Sequence, residues 1–259
     1  MERNARIAAL MYGAVCYALF FATFLYLIAF VAGVAVPKTI DSGAAVDVGR
    51  AFLVDTLLLA LFGLQHSAMA RPRFKRWWTR FVPQAVERST YVLASSLALI
   101  ALMAFWQPIG APVWHVESEV GRGLLRATFC LGVFTVLYST FLIDHFDLFG
   151  LRQVVLAFRR RPYVEKRFGT PSLYRFVRHP LYVGWIVMFW AAPTMSAGHF
   201  LFSLVMTGYI LVAIPLEERD LADVLGEPYR RWRERTPAFV PRLGAGAPSS
   251  SPSSSAATR

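Results

Sequence analysis

The sequence predicts an all-α integral membrane protein of five to six transmembrane helices, the last two forming a hairpin, with an active site on the cytoplasmic side. Three observations predict this. The 259 residues are 56% hydrophobic, with a mean hydropathy of +0.46, well above the globular norm. Charged residues are only 17% of the chain and are clustered between long apolar runs, as a hydrocarbon layer requires. Finally, alternating the runs across a bilayer puts most of the basic residues on one side.

Six apolar runs are legible, at residues 7–36, 51–69, 89–106, 124–143, 181–196 and 200–216. A bilayer core takes about 20 helical residues. The first run is longer and must tilt or protrude. It is also far longer than the apolar stretch of a signal peptide, so it reads as a retained helix. The fifth is short, is interrupted near Pro193, and joins the sixth by a tight turn. That pair reads as a hairpin; five spans with a re-entrant segment is the alternative. On one side lie the N-terminus with 2 Lys or Arg, residues 70–88 with 6, residues 144–180 with 8 and the C-terminal region with 7, together 23 of 27. Such an asymmetry predicts that both termini are cytoplasmic. The net charge of +11 is thereby explained by topology, and no nucleic-acid partner is expected. Membrane lipid is: Arg73, Lys75, Arg76 and Arg80 alternate with Phe74, Trp77, Trp78 and Phe81, which suits either an interfacial helix or a basic aromatic belt. Residues 1–243 read as one transmembrane domain and 244–259, rich in Ser, Pro, Gly and Ala, as a disordered tail. Cys16 and Cys130 lie inside apolar runs and form no C-x-x-C pair, so neither a disulfide framework nor a metal knuckle is expected.

Polar residues gather at the run ends. Gln65 and His66 close the second, Asp144, His145 and Asp147 follow the fourth, Arg178, His179 and Tyr182 open the fifth, and Glu217 and Glu218 close the sixth. Any one of these could be an interface anchor. All four clusters fall on the cytoplasmic side, although that was no input to the charge count. This predicts one pocket built from helix ends. Pro180 suits a first helical turn and holds His179 at the helix N-terminus, where anions are favoured. Arg178 adds a carboxylate partner. Gly184 leaves room for close approach. Glu217 and Glu218 can meet a positive group. The two sets suit a zwitterion, and S-adenosyl-L-methionine, with its additional sulfonium charge, is one.

Arg178-His179-Pro180-x-Tyr182-x-Gly184, then Glu217-Glu218, Gly226-Glu227-Pro228-Tyr229-Arg230-Arg231-Trp232 and Thr236-Pro237-Ala238-Phe239-Val240-Pro241 resemble the isoprenylcysteine carboxyl methyltransferase and phospholipid methyltransferase superfamily. The resemblance covers about residues 165–241. It implies that Arg178, His179, Tyr182, Gly184, Glu217, Glu218 and Tyr229 bind S-adenosyl-L-methionine. Upstream, Gly63-Leu-Gln-His-Ser67, Glu87-Arg-Ser-Thr-Tyr91 and the run 143–153 beginning Ile-Asp-His-Phe-Asp resemble the NnrU-related branch, and within it the membrane methanethiol S-methyltransferases. That wider resemblance spans about residues 10–241. It implies methylation of a small thiol, methanethiol to dimethyl sulfide, at a bacterial inner membrane.

An activated donor needs no metal or covalent intermediate, so the remaining chemical task is to make a thiolate. His66 and His145 are candidate bases, with Asp144 or Asp147 orienting an imidazole or serving as base; Gln65 lies beside them. Asp144 and Asp147 share a face if the fourth helix continues that far. Three other classes compete. An isoprenylcysteine carboxyl or phospholipid methyltransferase would need a groove for a lipid tail. A metal-dependent oxidoreductase would use His66, Asp144, His145, Asp147 and His179, though no His-x-x-His or His-x-x-x-His spacing occurs. A transporter or assembly factor should place polar groups near mid-bilayer.

Overall fold

The computed structural model describes residues 2–44, 46–164 and 168–241; the expected tail, 244–259, lies outside them. Helix α1 (Arg3–Ala32) stops four residues short of the expected boundary at 36. Gly33 there adopts φ 72° and donates back to Ala29 and Phe30, closing the helix. Asp47 caps α2 (Val48–Ala70) through Arg50 N at 2.8 Å. Pro72 ends α2: it drives Arg71 to extended backbone and opens the short helix α3 (Pro72–Trp78). Helix α4 (Gln84–Phe105) leads to strand β1 (Pro112–His115), and α5 (Glu119–Ile143) follows, capped by Ser118. After α5 come α6 (His145–Leu148), α7 (Leu151–Phe158) and a 3₁₀ turn (Ser172–Arg175). Helix α8 (Pro180–Trp190), strand β2 (Thr194–Ser196), α9 (Ala197–Leu225) and α10 (Glu227–Arg235) complete the order.

Five helices, α1, α2, α4, α5 and α9, are long and apolar enough to cross a bilayer. Their lipid-facing sides carry exposed Leu57, Leu61, Leu64, Leu131, Phe134 and Val212. The fifth run resolves the choice between five and six spans in an intermediate way. At 11 residues α8 rises about 16 Å, half of the roughly 30 Å hydrocarbon core. The chain nevertheless continues to the far side, because β2 pairs antiparallel with β1 in the α4–α5 connection (Pro112 with Ser196, His115 with Thr194). The crossing is thus a half-helix plus an extended segment. These three-residue and four-residue strands are too short to leave a period-2 signal in the sequence.

The ends of the bundle define two faces. On one, the connections meet: Lys38 Nζ donates to Ala104 O at 2.6 Å, Trp106 Nε1 to Ile40 O at 3.0 Å and Gln107 N to Asp55 Oδ1 at 2.9 Å. On the other, which holds the start of α1 and the end of α9, Ser89 Oγ donates to Gly150 O at 3.2 Å, Arg71 pairs with Asp220 at 2.9 Å and Arg178 with Glu218 at 2.7 Å. A core of Leu27, Phe30, Leu59, Leu102, Trp106, Phe189 and Phe202 joins α1, α2, α4, α8 and α9.

Between apolar helices in lipid, close van der Waals approach replaces hydrophobic driving force, which favours small residues at the contacts. Helix α8 packs chiefly along α5, and Gly132 and Gly184 form the crossing. A Cβ on Gly184 would sit 2.8 Å from Val136 N and 2.9 Å from Gly132 O. The space expected at Gly184 for a ligand is therefore taken by the α5 backbone. Gly184 supports the site indirectly, by holding the helix that begins at His179.

Candidate functional site

Pro180 starts α8 and leaves His179 just outside it at φ −127°, ψ 56°. Arg178 and His179 consequently face α9. Glu218 Oε1 accepts from Arg178 Nε at 2.7 Å and lies 2.8 Å from His179 Nε2. All three side chains are largely buried. Arg178 Nη1 also donates to Arg233 O at 3.0 Å and to Thr236 O. Backbone bonds from Arg178 N to Pro237 O and His179 N to Ala238 O, at 2.9 and 3.1 Å, lay the segment after α10 across the start of α8. The arginine expected to meet a ligand carboxylate is thus first a clamp joining α8, α9 and the C-terminal segment. A guanidinium fork is suited to such multiple acceptors.

One residue earlier, Glu217 Oε2 accepts from Tyr182 OH at 2.7 Å. The Glu217 carboxylate also acts electrostatically on Tyr91, Tyr174, Tyr209 and Tyr229. Burial, with Glu217 adding to it, raises the Tyr174 hydroxyl above its ordinary range; burial, then Glu218 and Glu217, does the same for Tyr229. Tyr229 is fully buried against Phe168 and Trp232.

The α2 cluster faces the same group. The His66 ring stacks on Phe62 at 5.3 Å, and Tyr91 OH lies 2.9 Å from Nε2 and 3.1 Å from Nδ1, across one edge of the imidazole. Ser95 Oγ is 3.1 Å from Nδ1. Gln65 Nε2 contacts Met69 Sδ at 3.1 Å and Ser95 Oγ at 3.5 Å, while its Oε1 is buried with no partner among the described residues. Ser67 and Tyr209 are joined at 3.0 Å, and Tyr209 packs where a Gly63 side chain would be. Tyr91 thus holds His66, and Tyr209 ties Ser67 of α2 to α9. Neither was singled out from the sequence as a site residue, although Tyr91 lies in one of the motifs quoted above. Only tertiary packing puts these tyrosines at the depth of the carboxylates.

The third cluster goes elsewhere. Helix α5 does not continue past Ile143, because Asp144 turns to φ 115° and caps α6 by accepting from Asp147 N at 3.2 Å. The two aspartates therefore do not share a helical face. Asp147 accepts from Arg152 at 3.0 Å, Gln153 at 3.3 Å and Tyr163 at 3.1 Å, which orders the α6–α7 connection. His145 is buried, with Nε2 2.9 Å from Tyr17 OH and Nδ1 2.8 Å from Thr140 Oγ1, and it stacks on Phe141 at 4.4 Å. Those partners belong to α1 and α5, not to the Arg178–Glu218 group. Burial lowers the His145 pKa, with Asp144 opposing more weakly. A depressed histidine pKa gives stability that is complete above the unfolded value and lost as pH falls below it. Wild-type protein is expected to lose thermal stability as pH drops below about 6.5. His145→Gln is expected to unfold at lower temperature at pH 7.5 and to flatten that acid dependence in differential scanning fluorimetry; an unaltered slope excludes His145 as its source. Among the described residues, no group of three or more His, Cys, Asp or Glu side chains is placed to hold a metal ion.

Fold and site together define an all-α integral membrane protein with an ionic, tyrosine-lined site at one edge of its bundle. Related sequences extend along most of the chain. The chain is 51% identical over 239 residues to a methanethiol S-methyltransferase of Pseudomonas sp. (strain GM41(2012)), covering 92% of each. It is 51% identical over 236 residues to a methanethiol S-methyltransferase of Mycobacterium tuberculosis, covering 91% of this chain and 97% of that one. It is 33% identical over 176 residues to Nurim of Pan troglodytes, covering 64% and 66%. No family model and no solved structure matches. The chain belongs to the methanethiol S-methyltransferase family and is by that membership a membrane methyltransferase.

Proposed function

We propose that this protein transfers a methyl group from S-adenosyl-L-methionine to a small thiol, methanethiol, at the cytoplasmic face of the membrane. The observation that carries this reading is the meeting of Arg178, His179 and Tyr182 at the start of α8 with Glu218 and Glu217 on α9, at the same end of the bundle as the His66–Tyr91 pair of α2 and α4. The names of the relatives supply the substrate. The residues fit a cationic donor: two adjacent carboxylates, one of them held by the Tyr182 hydroxyl, suit a sulfonium with its ammonium. Arg178, His179, Tyr182, Glu217, Glu218 and Tyr229 would hold it. Bound there, the donor supplies an already activated methyl group.

The rest of the work belongs to the chain. His66 receives the thiol proton on an imidazole nitrogen, and Tyr91 and Ser95 fix the ring and its tautomer. Gln65 Oε1, buried and without a partner among the described residues, accepts from the S–H before the proton is lost. Phe62 and the surrounding helices exclude water, so the thiolate is poorly solvated and reactive. His145 and Asp147 hold the α5–α7 connection and touch no reacting atom. The excess of Lys and Arg at the site's end of the bundle supports the cytoplasmic placement.

The test offers membranes containing the protein and labelled S-adenosyl-L-methionine four acceptors in parallel: methanethiol, hydrogen sulfide, a prenylcysteine analogue and phosphatidylethanolamine. Labelled dimethyl sulfide from the first, with no labelled lipid, is expected. Labelled prenyl ester or lipid amine without volatile sulfur would assign the chain a different acceptor.

A further inference from the structure

Arg71 stands outside the groups used above, yet it joins the two helices that carry them. It closes α2 five residues after His66, its position set by Pro72. Its Nε donates to Ser67 O at 3.2 Å and its Nη1 pairs with Asp220 at 2.9 Å. Asp220 lies on α9 three residues after Glu217. Ser67, four residues before Arg71, and Tyr209, eleven residues before Asp220, make a second link at 3.0 Å between the same helices. The ion pair lines a groove of about 430 Å³ bordered also by Arg73, Arg76 and Asp223. Its groups are about 30% exposed, in the interfacial layer where water and ions screen only in part.

We infer that Arg71 is a positioning residue for methyl transfer: with Asp220 it fixes the spacing between α2, which carries His66, and α9, which carries Glu217 and Glu218. This rests on the methyl-transfer reading of that site. The physical reason is that α2 and α9 hold the two halves of the chemistry, and a displacement of about 1 Å between reacting groups costs on the order of 10²-fold in rate. Substrate-binding contacts within α9 are untouched by such a shift. Loss of the pair therefore lowers kcat and leaves the donor affinity in place.

The test is a double-mutant cycle in membranes, with kcat and donor KM measured for wild type, Arg71→Ala, Asp220→Ala and the double variant. Arg73→Ala, which lines the same groove, is the control. Each single variant is expected to lose about tenfold in kcat, with donor KM within about threefold. The double variant is expected to be no worse than either, because both singles break one contact. Arg71→Lys should recover part of the rate, and Arg73→Ala should match wild type. Effects that multiply in the double variant, or a donor KM that rises as kcat falls, overturn the inference. A second readout does not depend on activity. Spin labels on Leu61→Cys and Val212→Cys, both exposed, in a Cys130→Ser background, report the α2–α9 distance. Arg71→Ala should broaden that distribution; an unchanged distribution overturns the positioning role. If the distribution broadens but no variant, wild type included, methylates a thiol, the methyl-transfer reading is what has failed.

Discussion

Glu218→Ala is expected to lose at least about 100-fold in donor affinity and to leave little measurable turnover. Its carboxylate is the common acceptor for Arg178 and His179 at 2.7 and 2.8 Å in a largely buried setting. Removing one partner of a buried pair typically costs about 3–5 kcal/mol, since the remaining charge is stranded. Here the stranded group is Arg178, whose other bonds hold the segment around Thr236 over the start of α8. Arg178→Ala should be equally severe. Arg178→Lys should rescue little, because an ammonium cannot serve acceptors on three elements at once. Glu218→Gln keeps the shape and one acceptor oxygen, and so should lie between the extremes. Equilibrium binding of labelled S-adenosyl-L-methionine, with melting temperature followed alongside, separates lost binding from lost folding. A Glu218→Ala protein that folds and binds the donor within about threefold of wild type, well under 1 kcal/mol, would remove the pair from the donor site.

His66→Ala should give the opposite kinetic pattern. General-base catalysis contributes about 10²–10⁴-fold, so kcat should fall by that order while donor affinity stays near wild type. The ring sits against Phe62 and is held by Tyr91 and Ser95. Truncation therefore leaves a small cavity on the thiol side, away from the Glu218 contacts. Tyr91→Phe keeps the volume and removes the hydroxyl; a smaller loss, roughly tenfold, is expected if Tyr91 only orients the imidazole. Raising assay pH should partly restore His66→Ala, because a growing fraction of the thiol then ionises without a base. Single-turnover measurements with saturating donor provide the rate. Turnover unchanged by His66→Ala would falsify the base assignment.

His66 and His145 illustrate how far local sequence can carry a functional argument. Both are histidines at the ends of apolar runs, beside polar neighbours, on the same face. Hydrogen-bond partners separate them: His145 is held between Tyr17 and Thr140, 128 and 5 residues away, whereas His66 meets Tyr91 and Ser95 of α4. Gly184 makes a similar point. A glycine one turn into a helix after a charged motif suggests room for a ligand, but the space is filled by Gly132 and Val136 of another helix.

The sequence by itself determined the membrane class, the long apolar spans and the clustering of polar residues at run ends on one face. Hydrophobic length and charge placement answer directly to the bilayer, a uniform environment that acts on each segment alone. Tertiary structure decided the half-length crossing of α8, the closing β1–β2 pair, the Arg178–Glu218 and Tyr182–Glu217 bonds and the separation of His145 from the site. Each depends on which helix lies beside which, and close packing between residues far apart in the chain sets that, with no local pattern to announce it.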